Sequence, residues 1–276
     1  MVKSEMKLII FCSAWMYNKP FSNGWDVFCN PQEPDPNYSR SPKFGKLYIE
    51  AIERIKPDFV LAINVGCSEQ LFDAMQKPKG PKYITWSTDS YRHTQRCTTS
   101  DVHLSSIPGA TLKPSDKFVP LFFDHREYPI RMVDRKWKFG LHCRQYPQAN
   151  QYRQRMVKKI KQALGKQFFV NQTETPPLQY IQEIKQFKYG INVGVYHDGL
   201  PNFRSFEYGA CGVMPVCQRT PILEHLFEDN IILFDDPSDI KVRTYDPVKL
   251  QSYYNEKHSL QARLGHIFKT YFDLEF

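Results

Sequence analysis

Gly199-Leu200-Pro201-Asn202-Phe203-Arg204-Ser205-Phe206-Glu207-Tyr208-Gly209-Ala210-Cys211-Gly212 lies between two apolar runs, 189–196 and 213–217. Gly199 and Pro201 break regular structure, and Asn202 follows them as a favoured helix N-cap. Gly209 and Gly212 stand where a short helix would close. The stretch reads as strand, turn, helix and strand, a repeating unit of parallel α/β sheets. Arg204 and Glu207 are three residues apart, so both project from one face of the helix's first turns. A helix N-terminus attracts anions through its unpaired N–H groups and its dipole. A forked guanidinium beside a carboxylate suits a nucleoside diphosphate there. The arginine meets phosphate and the carboxylate accepts sugar hydroxyls.

The same alternation runs outward in both directions. In the second half, strands are expected at 137–143, 167–170, 189–195, 213–217 and 231–234. Helices are expected at 150–164, 177–187, 203–211 and 221–227, with a largely helical tail at 247–272. In the first half, a strand at 7–13 is followed by an irregular stretch, 18–43, holding five prolines. A loop that long is usually functional or mobile. A helical pattern at 44–55 stops at Lys56-Pro57-Asp58, and a strand follows at 59–65. A helix at 68–76, a strand at 82–86 and short strands at 102–106 and 117–121 complete this half. Two βαβ series in one chain predict two parallel sheets with helices on both faces. The expected division is 1–130, 131–250 and a returning helix at 251–276, with the linker near 124–135.

Composition narrows the function classes. The chain has 276 residues, 41% hydrophobic and 14% aromatic, enough for two packed domains. No run of eighteen apolar residues occurs, so no membrane insertion is expected. The apolar run 8–12 is too short for a signal sequence and reads as the first strand. Seven scattered cysteines, an odd number without Cys-x-x-Cys spacing, argue against a zinc site and a disulfide framework. A reducing, cytoplasmic setting is expected. Residues 131–166 carry eleven Lys or Arg and one acid, Asp134, a local charge of +10 against +8 for the whole chain. Such a block is either a polyanion footprint or a solvated helix face. Tyr146, Tyr152 and several glutamines interleave it, which favours a working surface.

Arg204, Phe206, Glu207 and Gly212 form an R-x-F-E-x-x-x-x-G segment that resembles the GT-B glycosyltransferases, in particular the CgeB-like group. The resemblance extends upstream over Lys188-Tyr189-Gly190-Ile191-Asn192-Val193. Downstream it runs through Pro221-Ile222-Leu223-Glu224-His225-Leu226-Phe227 to 231–236. In the first half it rests on Lys56-Pro57-Asp58-Phe59-Val60-Leu61 and Trp86-Ser87-Thr88-Asp89. It implies two Rossmann-like domains facing a central cleft, with the C-terminal helix crossing back to the first. It also implies that Glu207 binds the donor ribose and that the region around Arg204 holds the pyrophosphate of a nucleotide-diphosphate sugar, a UDP-sugar foremost. No other cofactor and no metal are implied. The Asp-x-Asp metal signature of the other large glycosyltransferase fold does not occur. Many retaining GT-B enzymes carry a second Glu eight positions before the ribose-binding one. Here that position is Gly199, which leaves the stereochemical course open.

Ligands of open parallel sheets gather at the carboxyl ends of strands. In the second half this rule selects 144–150, 171–175, 196–203 and 218–220. Arg144 and Arg153 are candidates for phosphate, and His197 and Asp198 for the sugar, beside Asn202, Phe203, Arg204 and Glu207. In the first half it selects 13–26, 64–68 and 87–93. Asp89, matched by an Asp in the resembling segment, either acts as general base toward the acceptor hydroxyl or caps the next turn. Asp26 and His93 are the alternatives for the base. Trp25 either stacks on an acceptor ring or anchors the loop in the core. The expected activity is transfer of a hexose or pentose to an acceptor hydroxyl. The foremost acceptor is a hydroxymethylated pyrimidine in double-stranded DNA, as in phage enzymes of this fold, with Arg155, Lys158, Lys159 and Lys161 on DNA phosphates. A cell-surface or spore glycan is the alternative acceptor. A non-catalytic nucleic-acid-binding protein on the same scaffold is a third reading. The sequence sets no oligomeric state.

Overall fold

The computed structural model describes residues 6–12, 25–29, 42–63, 78–87, 100–106, 117–124, 128, 133–142, 151–173, 175–194 and 202–276. It divides into two compact units. The first comprises residues 1–120 and 264–276, the second 121–263.

In the first unit, β1 (Lys7–Cys12), β2 (Asp26–Cys29), β3 (Phe59–Ile63), β4 (Lys82–Ser87), β5 (Val102–Ser105) and β6 (Lys117–Phe118) form one sheet of order β2-β1-β3-β4-β5-β6. Every pairing is parallel. Leu8–Phe11 and all of β3 are buried, as expected of strands covered on both faces. Helix α1 (Pro42–Ile55) sends Tyr48, Ala51 and Ile52 into a core with Ile9, Phe11, Val60 and Ala62. It ends where Lys56 takes a φ of 52°, a left-handed stop just ahead of Pro57. The expected loop at 18–43 contains a strand, because Asp26–Cys29 pairs with β1 at the sheet edge. Four residues are too few for a period to show. The helix expected at 68–76 lies outside the described residues.

In the second unit, β7 (Trp137–His142), β8 (Phe168–Asn171), β9 (Phe187–Asn192), β10 (Met214–Gln218) and β11 (Ile232–Phe234) form a second parallel sheet, order β11-β10-β9-β7-β8. Its helices are α2 (Gln151–Leu164), α3 (Pro177–Ile184), α4 (Phe203–Ala210), α5 (Pro221–Phe227) and α6 (Pro247–His258). Residues 121–128 belong here and not to the first unit, because Leu121, Phe123 and Tyr128 join this unit's core. Helix α4 packs closely on α6. An added Cβ on Gly209 would stand 2.3 Å from the Tyr254 ring, so only glycine permits the approach. Gly212 ends the α4 turn at a φ of 64°, a conformation glycine adopts without strain. Gly209 thus serves packing, and Gly212 alone closes the helix.

The expected helical tail is two helices. Ser259 is extended and bridges Phe123, and the Leu260 amide donates to the Phe123 carbonyl at 2.8 Å, which separates α6 from α7 (Leu260–Phe272). Residues 251–263 therefore stay with the second unit, and the chain returns to the first only at Leu264. There Phe268, Phe272 and Phe276 form an aromatic cluster with Phe59 and Trp25. Trp25 lies 4.5 Å from Phe268, centroid to centroid, and its indole N–H donates to the Glu275 carbonyl at 3.0 Å. These contacts fix the Trp25 ring within the first unit.

Candidate active site

The second sheet has its topological switch point between β7 and β9, because the chain continues from β7 outward to β8 and from β9 the other way to β10 and β11. Connections diverge there and leave a crevice at the carboxyl ends of the two strands. Those ends are His142 and Asn192, both polar and both buried. Asn192 Nδ2 donates to Ser205 Oγ at 2.6 Å. Asn192 Oδ1 accepts from Asn202 Nδ2 at 3.0 Å and from an Arg204 guanidinium N–H at 3.4 Å. Asn202 caps α4 as its residue type predicts, its Oδ1 accepting the Arg204 amide at 3.1 Å. Asn192 thereby pins the N-terminus of α4 against the end of β9 and aims Arg204.

One turn further, Glu207 Oε2 accepts from the Tyr180 hydroxyl of α3 at 2.5 Å. Burial raises the Glu207 pKa above that of an ordinary carboxylate. Hydrogen bonds from Tyr180 and Tyr128 and the charge of Arg204 oppose that rise. Tyr180 itself is pushed well above an ordinary phenol, first by burial and then by Glu207, so it remains a proton donor at every working pH.

Tyr180 also meets the His142 ring edge-on at 4.7 Å. His142 Nε2 lies 2.9 Å from Thr175 Oγ1 and 3.2 Å from Glu183 Oε2. Glu183 in turn accepts from Asn171 at 2.7 Å and Gln179 at 3.0 Å. Burial lowers the His142 pKa, the Glu183 carboxylate raises it and Arg204 lowers it. The carboxyl ends of β7, β8 and β9 thus share one polar network with the faces of α3 and α4. Arg204, the cation of this network, stands in the first turn of α4.

Arg204, Glu207, Asn202 and Phe203 are brought together here, and Phe203 is exposed at the first position of α4. Arg153 is buried on the inner face of α2, away from the exposed basic residues of the same helix. Arg155, Lys158, Lys159 and Lys161 are all exposed, and Lys159 lies 3.8 Å from Asp236. Asp26 stands at the amino end of β2, registered with Lys7 at the amino end of β1. That is the sheet edge opposite the strands' carboxyl ends, so Asp26 is not placed to act as a base there. Asp89, His93, Arg144, His197 and Asp198 lie outside the described residues. Among the described residues no group of three His, Cys, Asp or Glu could hold a metal ion, and no helix is long and apolar enough to cross a membrane.

Sequence reasoning passed over His142, Tyr180, Glu183 and Asn192, while Asn171 opens the selected loop 171–175. His142 and Asn192 did carry a signal: each is a polar residue closing an otherwise apolar strand. Tyr180 carried none, since its partner is 27 residues away.

No curated protein sequence matches the chain. Among solved structures, an alpha-glucosyltransferase in complex with UDP and a 13-mer DNA containing an HMU base is similar at a TM-score of 0.53 and 12% identity. The match covers 98% of this chain and 99% of that one. A second complex of an alpha-glucosyltransferase, with UDP and a 13-mer DNA containing a central A:G mismatch, gives a TM-score of 0.57 at 11% identity, covering 97% and 99%. At such identities the likeness is one of fold, and with two parallel-sheet α/β units it is the GT-B fold. Residues 126–266, which include every residue of the network above, match the family described as glycosyl transferase-like. The chain belongs to that glycosyl transferase-like family.

Proposed function

We propose that this glycosyltransferase moves a hexosyl or pentosyl group from a UDP-sugar to the hydroxyl of a hydroxymethylated pyrimidine in double-stranded DNA. The observation that carries the donor half is the joint placement of Arg204 and Glu207 at the N-terminus of α4, beside the switch point of the second sheet. Glu207 accepts the ribose hydroxyls. Arg204, the α4 amides and Arg144 face the pyrophosphate, while Asn202 and Phe203 border it and His197 and Asp198 meet the sugar. Negative charge develops on the leaving diphosphate. Prearranged N–H donors and a guanidinium stabilise it without reorganising, and no metal ion is required for that role.

The acceptor half is supported by the exposed basic face of α2 and by the solved complexes of similar fold that hold UDP and DNA. Arg155, Lys158, Lys159 and Lys161 span about 9 Å of helix at 1.5 Å per residue, enough to meet successive phosphates. The target base leaves the stack to reach the donor. Asp89, with His93 as the alternative, takes the proton of the acceptor hydroxyl. Nucleotide sugars and DNA meet in the cytoplasm, where the reduced thiols of Cys211 and Cys217 also belong.

The test is mass spectrometry of duplexes carrying 5-hydroxymethyluracil or 5-hydroxymethylcytosine after incubation with a panel of UDP-sugars. A hexose or pentose mass added only to the hydroxymethylated base is the expected result. UDP release with no gain on either DNA, but transfer to a glycan, would move the acceptor and leave the donor half standing.

A further inference from the structure

We propose that Tyr180 is a positioning residue for the donor carboxylate: its phenol fixes the Glu207 side chain so that the remaining acceptor sites face the cis-diol of the donor nucleoside. The inference rests on the reading of Glu207 as the ribose-binding residue, and it deepens that reading.

A carboxylate offers about four lone-pair sites. Two tyrosine hydroxyls, those of Tyr180 and Tyr128, already bond to Glu207. Among the described contacts that leaves two sites, the number a vicinal diol requires. The charged and titratable groups acting on the carboxylate come from three directions: Tyr180 from α3, Tyr128 from the segment before β7, and Arg204 from the same helix, α4.

Tyr180 is itself held. Its amide donates to the Pro176 carbonyl at 2.8 Å, inside the first turn of α3. Its ring is braced edge-on by His142, which Thr175 and Glu183 hold in turn. A phenol fixed at both backbone and ring can set the orientation of the carboxylate it bonds. A mobile phenol would only follow it. Such bracing is what keeps a binding group within a fraction of an ångström of its productive geometry. The same hydrogen bond favours the ionised form of Glu207 against its burial, so the hydroxyl acts on both orientation and charge.

Calorimetry with UDP and 2′-deoxy-UDP across pH 5–8 provides the test, on the wild type, Tyr180→Phe and Glu207→Ala. Tyr180→Phe keeps the ring and its contact with His142. It is expected to bind UDP about three- to tenfold more weakly at neutral pH, because the carboxylate that meets the ligand is no longer held in one orientation. It should discriminate less between UDP and 2′-deoxy-UDP. Its affinity should begin to fall at a higher pH than that of the wild type, because the carboxylate protonates more readily. Replacing Tyr180 by 3-fluorotyrosine, a stronger donor in the same packing, should move that acid limb the other way and guards against a folding defect in the phenylalanine variant. Glu207→Ala should lose both the discrimination and the acid limb. If Glu207→Ala retains both, the ribose reading itself falls. If Glu207→Ala loses them while Tyr180→Phe matches the wild type in affinity, discrimination and pH profile, Tyr180 has no positioning role and only this inference is overturned.

Discussion

The Tyr180 hydroxyl and the Glu207 carboxylate stand 2.5 Å apart and tie α3 to α4 in the second unit. A buried carboxylate lacking such donors would take up a proton to escape desolvation. Here two phenols and a guanidinium oppose that, which is the condition for an acceptor of sugar hydroxyls near neutral pH.

Glu207→Ala removes that acceptor. Hydrogen bonds to a charged group contribute roughly 1.5–3 kcal/mol each, and about 1.4 kcal/mol is tenfold in affinity. UDP binding should therefore weaken tenfold or more in a variant that still unfolds cooperatively. Titration calorimetry reads this directly. Unchanged affinity would take Glu207 out of the site.

The packing beneath the site makes a second prediction. In Gly209→Ala the new methyl would meet Tyr254 ring carbons at 2.3–2.4 Å. Tyr254 cannot move aside: it is fully buried, stacked on Phe227 at 5.3 Å and bonded to the Asn230 carbonyl at 3.2 Å. Overpacking of this kind costs about 1–3 kcal/mol, more than the gain of about 1 kcal/mol from replacing a helical glycine by alanine. The melting temperature should fall by several degrees, at roughly 2–4 °C per kcal/mol for a chain of this size. A variant as stable as the parent would mean that α4 and α6 do not pack as closely as described.

Those two residues also show what a sequence can and cannot disclose. The alternation of strands and helices, the Asn202 cap and the Arg204–Glu207 pair are local, and each was legible from spacing within a few residues. Gly209 was read as a helix stop, because nothing in its neighbourhood announces a tyrosine 45 positions away. The strand at Asp26–Cys29 and the break at Ser259 depend on partners in distant segments, β1 and Phe123, and no short window contains them. The network around His142 is of the same kind. Strand ends can be read from sequence, but the helix that will face them cannot.

His258 makes stability depend on acid. Its ring sits among Phe206, Phe227, Tyr253 and Tyr254, at centroid distances of 4.9–5.6 Å. Burial, then Arg263 and Lys257, lower its pKa to about 3. Its Nδ1 lies 2.7 Å from an Arg263 guanidinium nitrogen, which can only donate, so the ring is neutral in the fold. An unfolded histidine titrates near 6.5, as an approximate reference value. Between the two values the unfolded chain binds a proton that the folded chain does not. Stability is then fully present above about pH 6.5 and is lost as pH falls toward 3, at up to about 1.4 kcal/mol per unit. His258→Gln keeps an acceptor for Arg263 and removes the titration. Denaturant unfolding of this variant should be flatter with pH over that window, and an equally steep dependence would assign the acid sensitivity to other groups.

The exposed basic face of α2 offers a test of the DNA acceptor. Arg155, Lys158, Lys159 and Lys161 are exposed, whereas Arg153 is turned inward and is left out of the test. If the exposed four meet DNA phosphates, binding to duplex should fall steeply with salt, with a slope of about −0.9 in log K against log salt for each phosphate neutralised. Reversing Lys158 and Lys159 to Glu should weaken binding to every sequence alike and flatten the slope by about two units. UDP affinity should not move, because neither lysine belongs to the network around Arg204 and Glu207. The two lysines are not equivalent. Lys159 has Asp236 at 3.8 Å and must exchange that partner for a phosphate, while its neighbour meets no such competition from a carboxylate among the described ion pairs. Lys158→Glu alone should therefore weaken binding more than Lys159→Glu alone. Filter binding or fluorescence anisotropy across a salt series separates these cases. Duplex binding that is absent, or indifferent to salt and to both reversals, would leave α2 a solvated helix face and turn the search for the acceptor toward a glycan.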